Sequence, residues 1–197
     1  MKTSALAMPA SRRWASKGAA PVTKPVSPMD TLAASAPVPS SAAGNPFAPR
    51  KPVVALVHGT SRADKQWPLA HWHALGQRLN DSGYAVALPH GSDAEQQHAQ
   101  AIASGLAQAV VWPRLGLDAL TDALAPCAGV IGVDSGLSHI AVALDLPHVQ
   151  IYNFDTAWRT GPEGLTRQRS VVDCPTPSVD AVWDAWQACL HAEGSAP

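Results

Sequence analysis

The segment GVIGVDSGLSH, residues 129–139, decides the fold of this chain. Its first five residues, 129–133, are apolar or small, and such a run predicts a strand that is buried on both faces of a sheet. Two polar residues, Asp134 and Ser135, follow, and a helix is predicted over residues 136–144. A buried strand that turns directly into a helix is the building unit of parallel α/β sheets.

The same alternation extends outward from this segment in both directions. Further strands are predicted at residues 53–57, 84–88, 110–111 and 148–152, and further helices from Pro68 to about residue 80 and at residues 94–104, 117–124 and 178–192, with a loop between residues 152 and 178. Strands that are joined by helices of this length run parallel. We therefore predict an α/β fold over residues 51–197, a Rossmann-like doubly wound parallel sheet.

Residues 1–50 differ in composition from the rest of the chain. They contain eight of the 18 prolines and carry a net charge of +5, whereas the remaining 147 residues carry −6. With two aromatic residues and no sustained apolar period, they bury too little surface to offset the entropy of ordering, so we predict a disordered segment. A transit peptide and a reading frame that has lost its upstream domain are the alternatives.

The overall composition excludes several classes of protein. The formal net charge of −1 argues against a broad basic face, so no nucleic-acid partner is expected. No stretch approaches the roughly 18 to 20 apolar residues that cross a bilayer. The three cysteines form no C-x-x-C, which argues against a zinc ribbon or a disulfide scaffold and makes the cytoplasm the expected compartment.

The ends of the predicted strands hold the candidate functional residues. Ligands of doubly wound folds bind beyond the carboxyl ends of the strands, here residues 58–65, 89–95 and 134–139. After the first strand, Thr60, Ser61 and Lys65 combine two hydroxyls with a mobile positive charge, which suits a pyrophosphate. A solvated loop is the alternative, because neither a Walker A loop nor a G-x-G-x-x-G motif is present.

The turn after the fourth strand predicts an anion site. Backbone N–H groups and the helix dipole favour negative charge at the start of the helix at residue 136. Asp134 or Ser135 can also cap this helix, and His139, one turn further on, is expected to point back toward the same site. Capping alone, with His139 as a core histidine, is the alternative.

Two other kinds of catalytic site find little support. A hydrolase nucleophile needs a glycine two residues before and two residues after the serine, and neither Ser135 nor Ser138 has both. His71 and His73 diverge on their predicted helix, so a zinc site is not expected. An unrelated small hydrolase is therefore the least supported reading.

Three stretches occur in an order that resembles glycosyltransferase family 9. They are HGTSRADKQWP at residues 58–68, LPHGSDAE at residues 88–95 and VDSGLSHIAVAL at residues 133–144. The resemblance extends from about residue 52 to 192 and matches the C-terminal, donor-binding half of a GT-B-type glycosyltransferase. It implies an ADP-L-glycero-D-manno-heptose donor and inverting transfer of heptose to a Kdo residue of the lipopolysaccharide core.

The resemblance also implies roles for the residues that contact the nucleotide. Thr60, Ser61 and Lys65 match positions that hold the diphosphate, and Lys65 would stabilise the charge that develops there. Glu95 matches a carboxylate near the ribose and adenosine. Leu115 lies where the family lines the adenine pocket.

On the sugar side, the resemblance involves the motif after the fourth strand. Asp134 would accept hydrogen bonds from heptose hydroxyls, while Ser135 and Gly136 would offer N–H groups to phosphate. His139 would complete the donor pocket. The resemblance implies neither a cofactor nor a metal, and the sequence has no Asp-x-Asp motif.

The acceptor side of the reaction is not matched. In the family the general base belongs to the N-terminal half, which residues 1–50 do not resemble, so no base is assigned. The Kdo-lipid A acceptor would become a partner only if an acceptor domain is supplied, and peripheral contact with the inner membrane is possible. The alternative is an inactive or partner-dependent nucleotide-sugar binding fragment. We also expect the last helix to leave Trp183 and Trp186 as exposed apolar surface.

Overall fold

A computed structural model describes residues 50–162 and 166–192, where six parallel strands form one sheet. The strands are β1 (Val53–Val57), β2 (Ala85–Leu88), β3 (Ala109–Val111), β4 (Gly129–Val133), β5 (His148–Tyr152) and β6 (Gln168–Val172). Their spatial order is β3-β2-β1-β4-β5-β6. The order reverses between β1 and β4, which confirms the predicted doubly wound, Rossmann-like α/β fold.

The helices connect these strands. They are α1 (Leu69–Asp81), α2 (Asp93–Ala103), α3 (Leu117–Leu124), α4 (Gly136–Ala143), α5 (Ala157–Thr160) and α6 (Val179–His191). Apart from α5, each was predicted with a start within one residue of the observed one. Pro68 stands at the N-cap position, so α1 begins one residue later than predicted.

The loop predicted between residues 152 and 178 is wrong in part, because it contains α5 and β6. Gln168, Arg169 and Ser170 give β6 a polar first half, without the apolar run that identified the other strands. The strand forms because it pairs with β5 along its whole length, from His148 opposite Gln168 to Tyr152 opposite Val172. An edge strand of this kind depends on its neighbour and leaves little trace in local periodicity.

The central strands alternate between two apolar layers. Val54 and Leu56 belong to the layer that includes α1, α2 and α6, whereas Ala55 and Val57 belong to the layer that includes α3 and α4. Every residue of β4 is buried. The interior strands β1 and β4 thus hold their carboxyl ends in fixed positions, and the loops that follow them start from a rigid frame.

Helix α6 packs its central tryptophan directly on the sheet. Trp186 is fully buried, and a Cβ placed on Gly129 would lie 2.5 Å from its indole. Because Gly129, at the start of β4, has no side chain, the indole of Trp186 can pack against the backbone there. Trp183 is half-buried and lies 6.0 Å from the Arg78 guanidinium. The expected exposure of this helix's tryptophans is wrong for Trp186.

The prediction of disorder for residues 1–50 lies outside the described residues, except for Arg50 itself. Across residues 50–162 and 166–192, the structure contains no helix with the length and apolar character that a membrane span requires.

Candidate functional site

A pocket of about 550 Å³ lies at the carboxyl ends of β1, β2 and β4, where the strand order reverses. We name it the switch-point pocket. Its position is the one at which open α/β sheets bind ligands. Its walls are formed by Val57, Gly59, Thr60, Ser61, Pro89, His90, Gly91, Glu95, Leu115, Leu117, Leu120, Asp134, Ser135, Gly136, Leu137 and Ile140.

The structure brings most of the sequence-predicted site residues together in this pocket. Seven of the nine candidates form part of its walls, namely Thr60, Ser61, Glu95, Leu115, Asp134, Ser135 and Gly136. Lys65 and His139 do not. Both instead lie against Asp134, at the pocket's edge.

Asp134 is the centre of a polar cluster at that edge. Lys65 Nζ donates a hydrogen bond to Asp134 Oδ2 at 2.6 Å, and Gln150 Nε2 donates to Oδ1 at 3.2 Å. His139 Nε2 lies 3.7 Å from the same Oδ1. The Asp134 side chain is 9% exposed and that of Lys65 is 24% exposed, so water screens this ion pair only in part.

The loop that positions Lys65 is fixed to the loop after β5. Asn153 Nδ2 donates hydrogen bonds to the carbonyl oxygens of Asp64 and Gln66, at 2.9 and 2.8 Å. Thr176 Oγ1 in turn donates to Asn153 Oδ1 at 2.7 Å. These bonds join residues that are far apart in sequence. They hold the loop in the position from which Lys65 reaches Asp134.

The start of α4 presents its backbone to the switch-point pocket. Ser135 stands at the N-cap position, but its hydroxyl accepts no hydrogen bond from the helix and is buried with no partner among the described residues. Side-chain capping by Ser135 is therefore wrong. Ser138 Oγ donates to Val133 O at 2.7 Å, away from the N–H groups of the first turn. The positive end of the helix remains suited to an anion.

Glu95 forms the opposite wall of the pocket. Its Oε2 accepts a hydrogen bond from the Gly91 backbone N–H at 2.6 Å, and Ser92 Oγ caps the helix by accepting from Glu95 N at 3.2 Å. A Cβ on Gly59 would lie 2.7 Å from Glu95 Oε1. Glycine at residue 59 therefore leaves the space in which this carboxylate lies.

A buried histidine to which the sequence analysis assigned no role lies between two lining residues of this pocket, Val57 and Gly59. His58 follows β1, is fully buried and contacts His98 edge-to-face, with ring centroids 4.9 Å apart. Burial, and then the nearby His98 and His90, lower the pKa of His58 to about 4. The ring is therefore neutral at pH 7 and adds no positive charge to the pocket.

A second, smaller cleft of about 110 Å³ adjoins the first on the other side of Asp134. We name it the arginine cleft, and it is lined by Arg62, Lys65, Asp134, Phe154, Thr156, Arg159 and Thr160. Most of these residues follow β1 or β5. The strand-end rule applied to β5 as well as to β1, β2 and β4 would have identified Phe154, Thr156 and Arg159 from the sequence.

The parts of the chain that the structure describes contain no group of three or more His, Cys, Asp or Glu arranged to hold a metal ion. The polar groups at the site are hydroxyls, backbone N–H groups, one lysine, two arginines, two carboxylates and the imidazoles of His90 and His139. This donor set suits a polar anionic organic ligand.

The six-stranded parallel sheet and its pocket give the chain the fold of one half of a GT-B glycosyltransferase. The sequence profile of Glycosyltransferase family 9 (heptosyltransferase) matches residues 24–178, so the chain belongs to this family. The resemblance seen in the three sequence motifs is thereby confirmed.

Similar proteins of known function and similar solved structures agree with this assignment. Lipopolysaccharide heptosyltransferase 1 of Pseudomonas aeruginosa is 37% identical over 127 residues, which are 64% of this chain and 36% of that protein. The Escherichia coli heptosyltransferase WaaC with ADP is 30% identical, with a TM-score of 0.65, over 71% of this chain and 44% of that one. WaaC with ADP-2-deoxy-2-fluoro heptose gives 30% and 0.61 over 74% and 44%. The chain spans about a third of the length of the curated relatives it matches.

Proposed function

We propose that this chain is the donor-binding part of a lipopolysaccharide heptosyltransferase. It binds ADP-L-glycero-D-manno-heptose in the switch-point pocket and serves metal-independent, inverting transfer of heptose to a Kdo residue of the inner core. One observation carries the proposal: seven residues that the family resemblance assigns to the donor line a single pocket at the switch point. The similarity to WaaC, solved with ADP and with a fluorinated ADP-heptose, supports the choice of donor.

The walls of the pocket offer a contact for each successive part of such a donor along the edge of the sheet. Leu115, after β3, provides apolar surface for the adenine, and Glu95, after β2, can accept hydrogen bonds from two ribose hydroxyls. The diphosphate then lies between Thr60 and the start of α4 at Gly136, where hydroxyl and backbone N–H groups converge. The sugar reaches Asp134.

Lys65 has a different partner in the structure from the one the resemblance assigned to it. Its ammonium is bonded to Asp134 at 2.6 Å. A diphosphate bound at the start of α4 competes for the same ammonium, and the long lysine side chain can turn toward it. We expect this movement to free Asp134 Oδ2 for the hydroxyls of the sugar, so the ion pair holds both groups in place before the donor arrives.

In the proposed reaction, an acceptor hydroxyl attacks the anomeric carbon of heptose. A carbon–oxygen bond forms on one face of the sugar as the bond to the ADP phosphate breaks on the other, which inverts the configuration. The electron pair of the broken bond goes to the phosphate, where Lys65 and the N-terminus of α4 stabilise it. The hydroxyl proton goes to a general base. No residue of the switch-point pocket is assigned that role.

A second candidate function is favoured by the length of the match. The chain spans about a third of its curated relatives, and the sequence motifs resemble the donor-binding half of the family. A nucleotide-sugar binding fragment, inactive by itself or dependent on a partner that supplies the acceptor domain, fits the same pocket. If the chain is part of a heptosyltransferase, the first candidate function, we place the protein in the cytoplasm, with peripheral contact at the inner face of the inner membrane.

Donor binding is tested by calorimetric titration of the full chain with ADP and with ADP-heptose. We expect saturable binding that Lys65→Ala and Asp134→Ala each weaken by about tenfold or more, as loss of a charged hydrogen bond does. Arg50→Ala, an exposed change outside the pocket, is the matched control. Absence of binding from a folded sample at millimolar ligand would contradict the proposal.

The two candidate functions are separated by a transfer assay. The full chain is incubated with ADP-heptose and Kdo-lipid A, and transfer is followed by mass spectrometry of the lipid. Heptosylated lipid above a protein-free control supports the transferase. Donor binding without transfer supports the fragment, and restored transfer on adding a separate acceptor domain would identify it as partner-dependent.

A further inference from the structure

The arginine cleft lies beyond the sugar end of the proposed donor site. The switch-point pocket and this cleft share only Asp134 among their lining residues. A donor whose adenine lies at Leu115 and whose diphosphate lies at Gly136 therefore brings its anomeric carbon to the boundary between the two. A group in the cleft would face that carbon from the side of β5.

The three cationic side chains of this cleft differ in whether they have an acidic partner. Arg62 donates to both carboxylate oxygens of Asp64, at 3.0 and 2.5 Å, and Lys65 is bonded to Asp134. Arg159 has no carboxylate within 4.0 Å among the described residues, and its guanidinium lies 5.8 Å from the Trp158 ring. Among residues 50–162 and 166–192, it is therefore the cation of the cleft that has no acidic partner and can donate to a ligand.

A hydroxyl that lines the same cleft as Arg159 is also without a partner in the part of the chain that the structure describes. Thr156 Oγ1 is a buried atom with no hydrogen-bond partner among residues 50–162 and 166–192. A buried hydroxyl without a partner costs free energy, and a ligand oxygen in the cleft would satisfy it. Thr160 is different, because its Oγ1 lies 3.1 Å from the Tyr152 hydroxyl.

We propose that the arginine cleft binds an oxyanion of the acceptor, a carboxylate or a phosphate group, through Arg159 and Thr156. The inference rests on the proposed function, because the donor's own phosphates occupy the start of α4 and its heptose is neutral. Arginine binds carboxylate and phosphate through parallel N–H donors. The oxyanion fixes the acceptor sugar beside Asp134 and presents its hydroxyl to the anomeric carbon, which lowers the entropic cost of the reaction.

The test follows the Arg159 Nε–Hε signal by NMR in the full chain, with and without saturating ADP. The probes are inorganic phosphate, the monosaccharide Kdo, and the methyl ester of Kdo, which lacks the charge. We expect saturable shifts with at least one anionic probe and none with the ester. By calorimetry, we expect Arg159→Ala to lower the affinity for the anionic probe about tenfold and Thr156→Val to lower it about fivefold. Arg159→Lys should lower it less than Arg159→Ala. Arg50→Ala is the matched control.

Each outcome decides the question. Binding of Kdo alone identifies a carboxylate, and binding of phosphate alone identifies a phosphate substituent. No Arg159 shift with either anion, or equal affinities of Arg159→Ala and the unchanged chain, overturns the proposal. Weaker ADP binding by Arg159→Ala also overturns it, because Arg159 would then belong to the donor site. Failure of the unchanged chain to bind ADP contradicts the proposed function and leaves the anion titration interpretable.

Discussion

The two sides of Asp134 are built in different ways. On the side of β1 and β2, the switch-point pocket combines apolar side chains with glycines, hydroxyls and the start of α4, and most of its polar groups directly follow buried strands. On the side of β5, the arginine cleft is formed by long side chains from two loops and the four-residue helix α5, which has no buried residue. Backbone fixed by the sheet suits a ligand part that is the same in every turnover, such as a nucleotide. Long side chains suit a part that sets specificity.

Substitutions on the two sides of Asp134 should therefore affect ligand binding in different ways. At Gly59 the pocket side leaves no room for an added methyl group, so a small change there should disturb binding through steric contact. The cleft side is exposed at Arg159 and Arg62, so changes there should act through charge alone. Asp134 belongs to both sides, and its ion pair with Lys65 is the contact through which one side can influence the other.

The largest effect should come from two buried histidines, His58 directly after β1 on the pocket side and His148 at the start of β5, the strand that leads to the cleft. Burial is the main cause that lowers the pKa of each to about 4, from 6.5. Stability is therefore full above pH 6.5 and is lost as the pH falls toward 4, because only the unfolded chain binds the protons. We expect a loss of about 3 kcal/mol per histidine, measured by urea unfolding between pH 7.5 and 4.

A matched pair of variants checks the origin of this pH dependence. His148→Asn should remove about half of the slope, since the amide can still donate to Val130 O, the present partner of His148 at 3.0 Å. His191→Gln, at an exposed position, should leave the slope unchanged. An unchanged slope in His148→Asn would contradict the assignment.

The next effect concerns the contact shared by both sides. Asp134→Asn removes the charge that Lys65 faces in a partly buried place, and we expect the free energy of unfolding to fall by about 2 kcal/mol. A double-mutant cycle with Lys65→Met should give a coupling of about 1 kcal/mol. Asp180→Asn, which breaks the exposed pair with Arg78, should cost less than about 0.5 kcal/mol. Equal costs for the two pairs would argue against any special role for the Lys65 contact.

A steric change should separate the two sides more directly. Gly59→Ala places a Cβ 2.7 Å from Glu95 Oε1 and must move that carboxylate, so ADP affinity should fall about tenfold, or by about 1.4 kcal/mol. Gly116→Ala meets nothing within 4 Å and should bind ADP normally. Calorimetric titration measures both, and normal ADP binding by Gly59→Ala would place the nucleotide away from Glu95.

The smallest effect is expected from a change of charge without a change of size. Glu95→Gln keeps one acceptor oxygen for the ribose, so the affinities for AMP and ADP should fall by the same factor of about three, or roughly 0.7 kcal/mol. Asp93→Asn, an exposed acid on the same helix turn, should alter neither affinity. A loss seen with ADP and not with AMP would assign Glu95 to the diphosphate instead of the ribose.

The family and the general plan of the chain followed from local sequence. The apolar runs at residues 53–57 and 129–133 and the stretch at residues 148–152 predicted parallel strands, and the order of the motifs identified the family. The runs at residues 53–57 and 129–133 are recognisable locally because strands that are buried on both faces are rich in consecutive apolar residues. The resemblance to the family assigned seven residues that the structure places around one pocket.

Tertiary structure alone decided the features that depend on distant partners. Strand β6 forms because β5 offers it hydrogen bonds, and its polar residues 168–170 predict nothing by themselves. Lys65 and Asp134 are 69 residues apart and meet only because β1 and β4 are neighbours in the sheet. Among the described residues, Arg62 and Lys65 pair with Asp64 and Asp134, whereas Arg159 has no carboxylate within 4.0 Å, and only the packed structure shows this difference. Local periodicity records how each segment buries its own surface, whereas ion pairs and edge pairing are set by the packing of all segments together.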